Sequence, residues 1–178
     1  MRKMLLCILN LLMLSTFAFA NEKSEKISPA GDITGFWKTI NEKTSKPESI
    51  IGIYKHDGLY YGRIILTYLE DGSVQDTMEN PKKRATGVVG NPYYVGLDIL
   101  WDLKLKGKKY REGSILDPEK GNIYGAEAWR NGEMLVVRGK LLMFGRNQTW
   151  PPAVDSDFPK DFKKPDLKSF VPAIPKTI

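Results

Sequence analysis

Side chains that could carry out acid–base or nucleophilic chemistry are few in this sequence. His56 is the only histidine and Cys7 the only cysteine among 178 residues. Zinc sites and Cys–His catalysis need several such side chains together, so neither chemistry is expected and no metal or other cofactor is predicted. His56 could act as a general base, but its place directly before the turn signal Asp57-Gly58 favours an exposed hairpin end.

Carboxylates in the second half of the chain could supply the pair that sugar hydrolysis requires. The candidates are Asp98, Asp102, Asp117, Glu119 and Glu127. Asp117 and Glu119 lie in an Asp-Pro-Glu-Lys-Gly segment that is typical of a turn, and the others fall at outward positions of predicted strands. A structural role is therefore favoured over hydrolysis, and the chain is predicted not to be an enzyme.

Two basic clusters, Lys82-Lys83-Arg84 and residues 104–111, contribute to a formal net charge of +6. Most clusters of this kind are solvated loops, and the alternative is a positive rim that steers an anionic head group. The overall charge is too small for a nucleic-acid footprint, so no nucleic-acid partner is predicted.

Residues 1–20 have the pattern of a secretory signal peptide. Arg2 and Lys3 precede an apolar run, 4–14, that is too short to span a bilayer, and Ala18-Phe19-Ala20 is a small-x-small cleavage site. Cleavage there would also remove Cys7. The sequence thus predicts a periplasmic or secreted protein without disulfides, whose polar leader is residues 21–32.

Residues 33–150 read as antiparallel strands. Short apolar runs alternate with polar residues and are interrupted by Gly and Asn-Gly turns, with no long helical period. About eight such strands are enough to close an up-and-down β-barrel, so the predicted fold is all-β. Residues 151–178 are rich in proline and are predicted to form an extended tail that is packed on the outside or free.

The first hairpin turns at Asp57-Gly58, a pair suited to a type I′ turn because both central residues need positive φ. This turn predicts a definite register. The predicted partners are His56 and Leu59, Tyr54 and Tyr61, Ile53 and Gly62, and Ile51 and Ile64. The outward face, with Tyr54 and Tyr61, is partly apolar and could be a self-association patch.

A second hairpin is predicted around Asn131-Gly132. Its predicted partners are Ala128 and Leu135, Ala126 and Val137, and Tyr124 and Gly139. On the opposite face, Glu127 and Arg138 are expected to form a cross-strand ion pair. The small residues Ala126 and Ala128 on the inner face favour a cavity, although a filled core is the alternative.

The inward apolar residues are the candidates for contact with a ligand, because binding pockets are mostly apolar with few polar anchors. The predicted ligand-binding residues are Ile51, Ile53, Tyr60, Ile64, Leu66, Leu97, Ile99, Trp101, Tyr124, Ala126, Leu135 and Val137.

Several segments, taken together, resemble a family of small exported bacterial proteins known as domain of unknown function 2147. The matching segments are Gly-x-Trp at 35–37, G-L-D-I-L at 96–100, E-G-S-I-L-D-P-x-x-G at 112–121, L-V-V-R-G at 135–139 and F-G-R-N-Q-T-W at 144–150. The resemblance implies a lipocalin-like barrel. In lipocalins a late arginine packs across the first-strand tryptophan, which implies that Arg146 covers Trp37 and closes one end of the barrel.

The function predicted from these observations is non-catalytic binding of a small hydrophobic or amphiphilic ligand. An alternative is a protein-interaction module of the cell envelope, which would use the outer face of the first hairpin and the Pro-rich tail. That outer face could also support a homodimer.

Overall fold

The fold is described here from a computed structural model, which covers residues 31–142 and 144–178. The predicted signal peptide and nearly all of the predicted leader lie outside the described residues. Within the described residues, no helix is long and apolar enough to cross a membrane.

In the described part of the chain, nine antiparallel strands form one sheet with the order β1-β2-β3-β5-β6-β7-β8-β9, and β4 pairs with β3 beside this path. The strands are β1 Gly35–Ile40, β2 Pro47–His56, β3 Leu59–Tyr68, β4 Val74–Thr77, β5 Asp98–Lys106, β6 Lys109–Asp117, β7 Asn122–Asn131, β8 Met134–Leu141 and β9 Phe144–Trp150. Apart from β4, strands adjacent in the sequence are adjacent in the sheet. The prediction of an all-β, up-and-down architecture of about eight strands is confirmed.

The sheet nearly closes on itself where β1 meets the chain that follows β9. The Lys38 N–H donates to the Pro151 carbonyl at 2.9 Å, and the Ala153 N–H donates to the Phe36 carbonyl at 2.9 Å. Since β1 is joined in this way to the segment directly after β9, the sheet nearly closes into a barrel.

The two ends of the barrel differ in how the chain crosses them. At one end, called the closed end, are the tight turns after β2, β5 and β7, which lie at residues 57–58, 107–108 and 132–133. At the other end, called the open end, are the loop at residues 41–46, the long connection at residues 69–97, the turn at residues 118–121 and the turn at Leu142.

The Trp37 side chain fills the closed end of the barrel, and the arginine that lies over its ring is not the predicted one. The tryptophan side chain is 3% exposed, its Nε1–H donates to the Ile33 carbonyl at 2.8 Å, and the Arg130 guanidinium lies 4.9 Å from its ring centroid. Arg146 instead hydrogen-bonds the Glu42 carboxylate, and its side chain is exposed. The expectation that Arg146 covers Trp37 is therefore corrected to Arg130.

The reason lies in the division of residues 134–150. This segment forms two strands separated at Leu142, where φ is +54°. Arg146 is close to the start of β9, at the open end, whereas Arg130 precedes the closed-end turn at Gly132. The arginine that reaches Trp37 is therefore the one near a closed-end turn, and not the one that comes later in the sequence.

The first hairpin has the predicted register. Tyr54 pairs with Tyr61 and Ile51 with Ile64, and the φ values of Asp57 and Gly58 are +47° and +83°. Both central residues have positive φ, as a type I′ turn requires, so the turn residues alone determine this pairing.

The register predicted for the second hairpin is wrong by two residues. Ala128 pairs with Val137 and Ala126 with Gly139. Gly132 has φ of +59°, whereas Glu133 is not among the positive-φ residues. Positive φ at the first central position alone is the geometry of a type II′ turn, so the two central residues are Gly132 and Glu133. A two-residue shift preserves which side chains share a face.

The ion pair predicted between Glu127 and Arg138 is replaced by a different one. Glu127 and Arg138 stand opposite each other in the sheet, but the Glu127 carboxylate pairs with Lys140 Nζ at 2.5 Å. Arg138 packs against Gly145, where a Cβ would lie 2.3 Å from its Nε. Glu127, on β7, thus pairs with Lys140, which lies two residues beyond Arg138 on β8 and on the same face of the sheet.

The tail, residues 151–178, packs across the outer face of the first hairpin. Phe170 contacts Tyr54 edge to face with ring centroids 5.3 Å apart, and Leu167 lies so close to Gly52 that a Cβ there would be 2.7 Å from its methyl group. Tyr54 is 1% exposed and Tyr61 6% exposed. The face that was expected to be open to a homodimer or an envelope protein is covered by this chain's own tail.

Asp98 fastens the tail to the barrel. Its carboxylate is fully buried and accepts hydrogen bonds from Tyr54 Oη at 2.9 Å, from Arg63 Nη2 at 2.6 Å and from the Ala173 N–H at 2.7 Å. Arg63 also donates to the Val171 carbonyl at 2.8 Å. A paired carboxylate and guanidinium therefore hold three separate segments together out of water.

Candidate ligand-binding site

A cavity of about 820 Å³ lies inside the barrel at its open end. Its apolar wall comes from strands β3, β5, β6, β8 and β9. The apolar lining residues of these strands are Ile64, Ile99, Ile115, Leu116, Val137 and Trp150. Alternation along a strand directs every second side chain inward, which accounts for most of this wall. It does not account for both Ile115 and Leu116, which are consecutive in β6.

The predicted ligand-binding residues are divided between the cavity wall and the packed core. Ile64, Ile99, Tyr124 and Val137 line the cavity. The remaining ones are buried and lie in the hydrophobic core, away from the cavity lining: Ile51, Ile53, Tyr60, Leu66, Leu97, Trp101, Ala126 and Leu135. The predicted residues thus include both packed core positions and cavity positions, which combines the two alternatives that the sequence allowed.

Side-chain size explains where the space is. Tyr60 and Tyr110 meet edge to face in the core with ring centroids 4.7 Å apart. On the cavity side the wall includes Gly139, Ser49 and Thr39. The small side chains leave a volume that their neighbours do not fill. The two tyrosine rings fill the space between the strands that carry them.

Several polar groups on the cavity wall have hydrogen-bond partners within the protein. Thr39 bonds Ser49 at 2.7 Å and Trp150 bonds Gln148 at 3.1 Å, while Thr67 bonds Asp76, outside the lining, at 3.0 Å. Since these groups already have partners, they contribute little capacity for new hydrogen bonds with a ligand.

Lys83, Tyr94 and Glu119 form a polar cluster at the cavity mouth, here called the mouth cluster. Lys83 Nζ lies 2.8 Å from the Glu119 carboxylate and 4.2 Å from the centroid of the Tyr94 ring. Tyr94 is 8% exposed, and its buried hydroxyl lies beside the Glu119 carboxylate.

Two glycines allow the loop that carries this cluster to dock. The Tyr94 N–H donates to the Lys83 carbonyl at 2.9 Å, and the Gly87 N–H donates to the Pro118 carbonyl at 3.1 Å. A Cβ on Gly87 would lie 2.0 Å from the backbone nitrogen of Gly121. Only glycine permits this approach of two backbones, which places Glu119 beside Lys83.

The electrostatics of the mouth cluster keep Glu119 and Tyr94 each in one protonation state near neutral pH. The hydrogen bond from Lys83 and the Lys83 charge lower the pKa of Glu119. Burial, followed by the charge of Glu119, raises the pKa of Tyr94. Glu119 therefore stays ionised and Tyr94 stays a neutral donor, because the shifts move both pKa values away from neutrality.

The carboxylates considered for hydrolysis are dispersed. Asp117 and Glu119 line the cavity, but Asp117 accepts the N–H groups of Glu119 and Lys120 in its own turn. Asp98 binds the tail, and Asp102 accepts a hydrogen bond from Tyr61 at 3.1 Å. A general acid needs a raised pKa, whereas that of Glu119 is lowered.

His56 and one of the basic clusters lie away from the cavity. His56 sits at the closed-end turn, with Nε2 3.5 Å from the Asp57 carboxylate. Residues 104–111 are also at the closed end, where Lys109 Nζ lies 3.9 Å from the Trp129 ring centroid. Of the two predicted basic clusters, only residues 82–84 approach the mouth, through Lys83.

The sequence interpretation missed the rim that the β8–β9 hairpin adds to the mouth. Leu141, Leu142 and Phe144 are 61%, 92% and 79% exposed, and Leu141 and Phe144 also line the cavity. Apolar side chains at a turn are unusual on a protein surface, and their run in residues 141–144 was the signal that could have located this rim.

Comparison with known proteins supports the fold. A family model described as "Uncharacterized protein conserved in bacteria (DUF2147)" matches residues 35–151. No curated protein matches the sequence. A solved structure described as "Protein HP1028 from the human pathogen Helicobacter pylori belongs to the lipocalin family" is similar, with a TM-score of 0.55 and 20% identity, over 71% of this chain and 86% of that one.

Proposed function

This chain belongs to the bacterial family DUF2147, and on that premise we propose that it binds a small hydrophobic or amphiphilic molecule without catalysing a reaction on it. The observation that carries the proposal is the cavity of about 820 Å³ at the open end of a lipocalin-like barrel. Ligand pockets fall in the range of about 300–1,000 Å³ and are mostly apolar with a few polar anchors.

The distribution of side chains around the cavity supports an amphiphilic ligand. Ile64, Ile99 and Val137 provide an apolar wall, and the mouth cluster provides polar groups. Leu141 and Phe144 extend the apolar surface outward to solvent. A hydrocarbon chain would gain about 0.8 kcal/mol for each methylene that it buries there, while its polar end stays at the mouth.

The chemistry of the mouth supports binding without catalysis. Asp117 is engaged by its own turn, Glu119 is held ionised by Lys83, and His56 lies at the closed end. Asp117, Glu119 and His56 therefore do not form a general acid–base pair, because none of them is a neutral carboxylic acid placed opposite a free base.

Residues 1–20 support the further proposal that the protein acts in the periplasm or outside the cell. We expect cleavage after Ala20 and a mature chain that begins at Asn21. N-terminal sequencing of the protein recovered from a periplasmic fraction checks this, and recovery of the uncleaved chain from the cytoplasm would contradict it.

Filling the cavity should weaken ligand binding without unfolding the barrel. Gly139 lines the cavity, and a Cβ there would contact Ile115 at an ordinary 3.6 Å. We expect Gly139→Trp to weaken the binding of a fluorescent fatty-acid probe at least about tenfold, or about 1.4 kcal/mol. The indole would occupy volume that the probe needs, which titration of probe fluorescence measures directly.

Gly125→Trp is the matched control. Gly125 is on the neighbouring strand β7, is exposed, and would direct a side chain toward Lys140 on the outer surface. The same substitution there should leave probe affinity unchanged. If the two variants bind equally, or if the unmodified protein binds no apolar probe, the proposed function is wrong.

A further inference from the structure

The two ends of the barrel differ in the apolar side chains that they expose. Among the large apolar side chains exposed along residues 31–142 and 144–150, only Leu105 and Met134 lie beside closed-end turns. The β8–β9 hairpin exposes Leu141, Leu142 and Phe144 at the open end, here called the hairpin tip. The other open-end segments add Leu69, Met78, Val89, Tyr93 and Ile123. Exposed apolar surface concentrated at one end indicates that a partner meets the barrel there.

The hairpin tip combines an exposed turn residue with two residues of the cavity wall. Leu142 is 92% exposed and does not line the cavity. Leu141 and Phe144 pair across the turn, and both line the cavity. Leu142 has φ of +54°, a geometry that suits glycine or asparagine better than leucine, so the needs of the turn do not explain an apolar side chain at this position.

The size and spread of the apolar area favour a lipid bilayer over a folded protein or a second copy of this chain. A specific protein–protein interface buries about 800 Å² on each partner as one complementary surface. The hairpin tip is only three side chains, and the other exposed apolar residues of the open end lie in separate segments. A bilayer requires no complementary shape and accepts apolar side chains singly at its surface.

The charges of the hairpin fit the same partner. The charged residues in 134–150 are Arg138, Lys140 and Arg146, with no acidic residue among them. Basic side chains beside an inserted apolar tip lie at the level of lipid phosphates. Lys140 and Arg146 are already paired with the carboxylates of Glu127 and Glu42, so anionic lipid should add only modestly to the contribution of the apolar tip.

We propose that the open end docks on a phospholipid bilayer with the hairpin tip inserted at the boundary between head groups and acyl chains, and that the cavity exchanges its ligand directly with the bilayer. Leu141 and Phe144 belong to both the tip and the cavity lining, which makes the apolar path continuous. Direct exchange avoids the transfer of a hydrocarbon chain through water. This inference rests on the proposed function, because it names the source of the ligand for the same cavity.

Leu142→Asn tests the docking, with vesicles of equal parts phosphatidylcholine and phosphatidylglycerol. We expect vesicle binding in a flotation assay to weaken about tenfold, since a leucine no longer enters the bilayer. Asparagine tolerates positive φ, so the thermal melt should not fall. Because Leu142 does not line the cavity, a fluorescent fatty-acid probe without vesicles should bind the variant and the unmodified protein equally.

The transfer of the bound probe from the protein to the same vesicles tests direct exchange. We expect the transfer rate of the unmodified protein to rise with vesicle concentration, because transfer requires contact between the protein and the bilayer. In Leu142→Asn the transfer should be about tenfold slower, in proportion to the weaker docking.

Leu105→Asn is the matched control, because Leu105 is exposed beside a closed-end turn. The same substitution there should leave vesicle binding and probe transfer unchanged. Residues 4–14 are apolar as well, but a retained N-terminal segment would bind vesicles equally in both variants and would not produce a difference between them.

The docking inference and the proposed function can fail separately. Equal vesicle binding by Leu142→Asn and the unmodified protein, equal weakening by Leu105→Asn, or a transfer rate independent of vesicle concentration overturns the docking inference while probe binding still stands. A dimer that Leu142→Asn dissociates, with vesicle binding unchanged, would assign the tip to a second copy and also overturn it. Absence of probe binding without vesicles overturns the proposed function itself.

Discussion

Asp98→Ala is expected to lower the free energy of unfolding by about 3–5 kcal/mol, the cost of breaking a buried ion pair by removing one partner. Asp98 is fully buried and accepts hydrogen bonds from Tyr54, Arg63 and the Ala173 N–H. Without it, the Arg63 guanidinium, whose side chain is 13% exposed, loses its counter-charge. Chemical denaturation of the variant and the unmodified protein measures the loss.

Two comparisons make this result specific. Glu127→Ala removes a carboxylate from a more exposed ion pair with Lys140 and should cost about 1 kcal/mol or less. The double substitution Arg63→Met with Asp98→Leu should recover part of the loss, because it removes both buried charges together. Equal losses for Asp98→Ala and Glu127→Ala would show that Asp98 does not hold the tail.

Trp37→Ala should destabilise the protein by about 3–5 kcal/mol, the usual cost of deleting a buried aromatic ring. The ring is 3% exposed, and its indole N–H bonds the Ile33 carbonyl at 2.8 Å. Truncation would leave a void at the closed end and an unpaired carbonyl near it. The fall in the free energy of unfolding is again read from denaturant titration.

A double-mutant cycle identifies the arginine that contacts Trp37. Arg130→Ala should cost about 1–2 kcal/mol from the lost cation–π contact and packing. Its effect should be non-additive with that of Trp37→Ala, because groups in contact couple. Arg146→Ala, at an exposed pair with Glu42, should add independently. Coupling of Trp37 to Arg146 instead would contradict the arrangement at the closed end.

The predictability of the two hairpins differed because of their turn residues. Asp57-Gly58 has positive φ at both positions, so a single turn type fits and the register of β2 and β3 followed from the sequence. In the second hairpin, Gly132 also fits the first position of a type II′ turn, and this alternative shifts the pairing by two residues. The assignment of side chains to the two faces of this hairpin was still correct, because a shift by two residues keeps each side chain on the same face.

The turn between β8 and β9 could not be predicted from residue type. Leu142 adopts φ of +54° and is 92% exposed, although β-turns with positive φ usually contain glycine or asparagine. Without a turn there, residues 134–150 read as one strand, and Arg146 was assigned to the wrong end. The position of Arg130 beside the Gly132 turn was the available clue.

The cavity itself was predictable only in part. Ile51 lies in the core and Ile64 on the cavity wall, although both are isoleucines and pair directly in adjacent strands. Residue type therefore does not show which inward positions are packed and which line a cavity. The mouth cluster depends on contact between residues distant in sequence, which requires that Gly87 meet Gly121. Gly121 ends the segment 112–121, but no sequence pattern around either glycine indicates that the two backbones come into contact.

The docking of the tail has a consequence for the order in which the molecule is assembled. During synthesis, residues 151–178 leave the ribosome after every strand of the barrel, yet they cover Tyr54 on the first hairpin. They also reach the loop that carries the mouth cluster, where the Val89 N–H donates to the Lys176 carbonyl at 2.8 Å. Any folding route in which the barrel closes before the tail docks therefore passes through a stage with an uncovered apolar face and an unfinished mouth, when aggregation is the competing outcome.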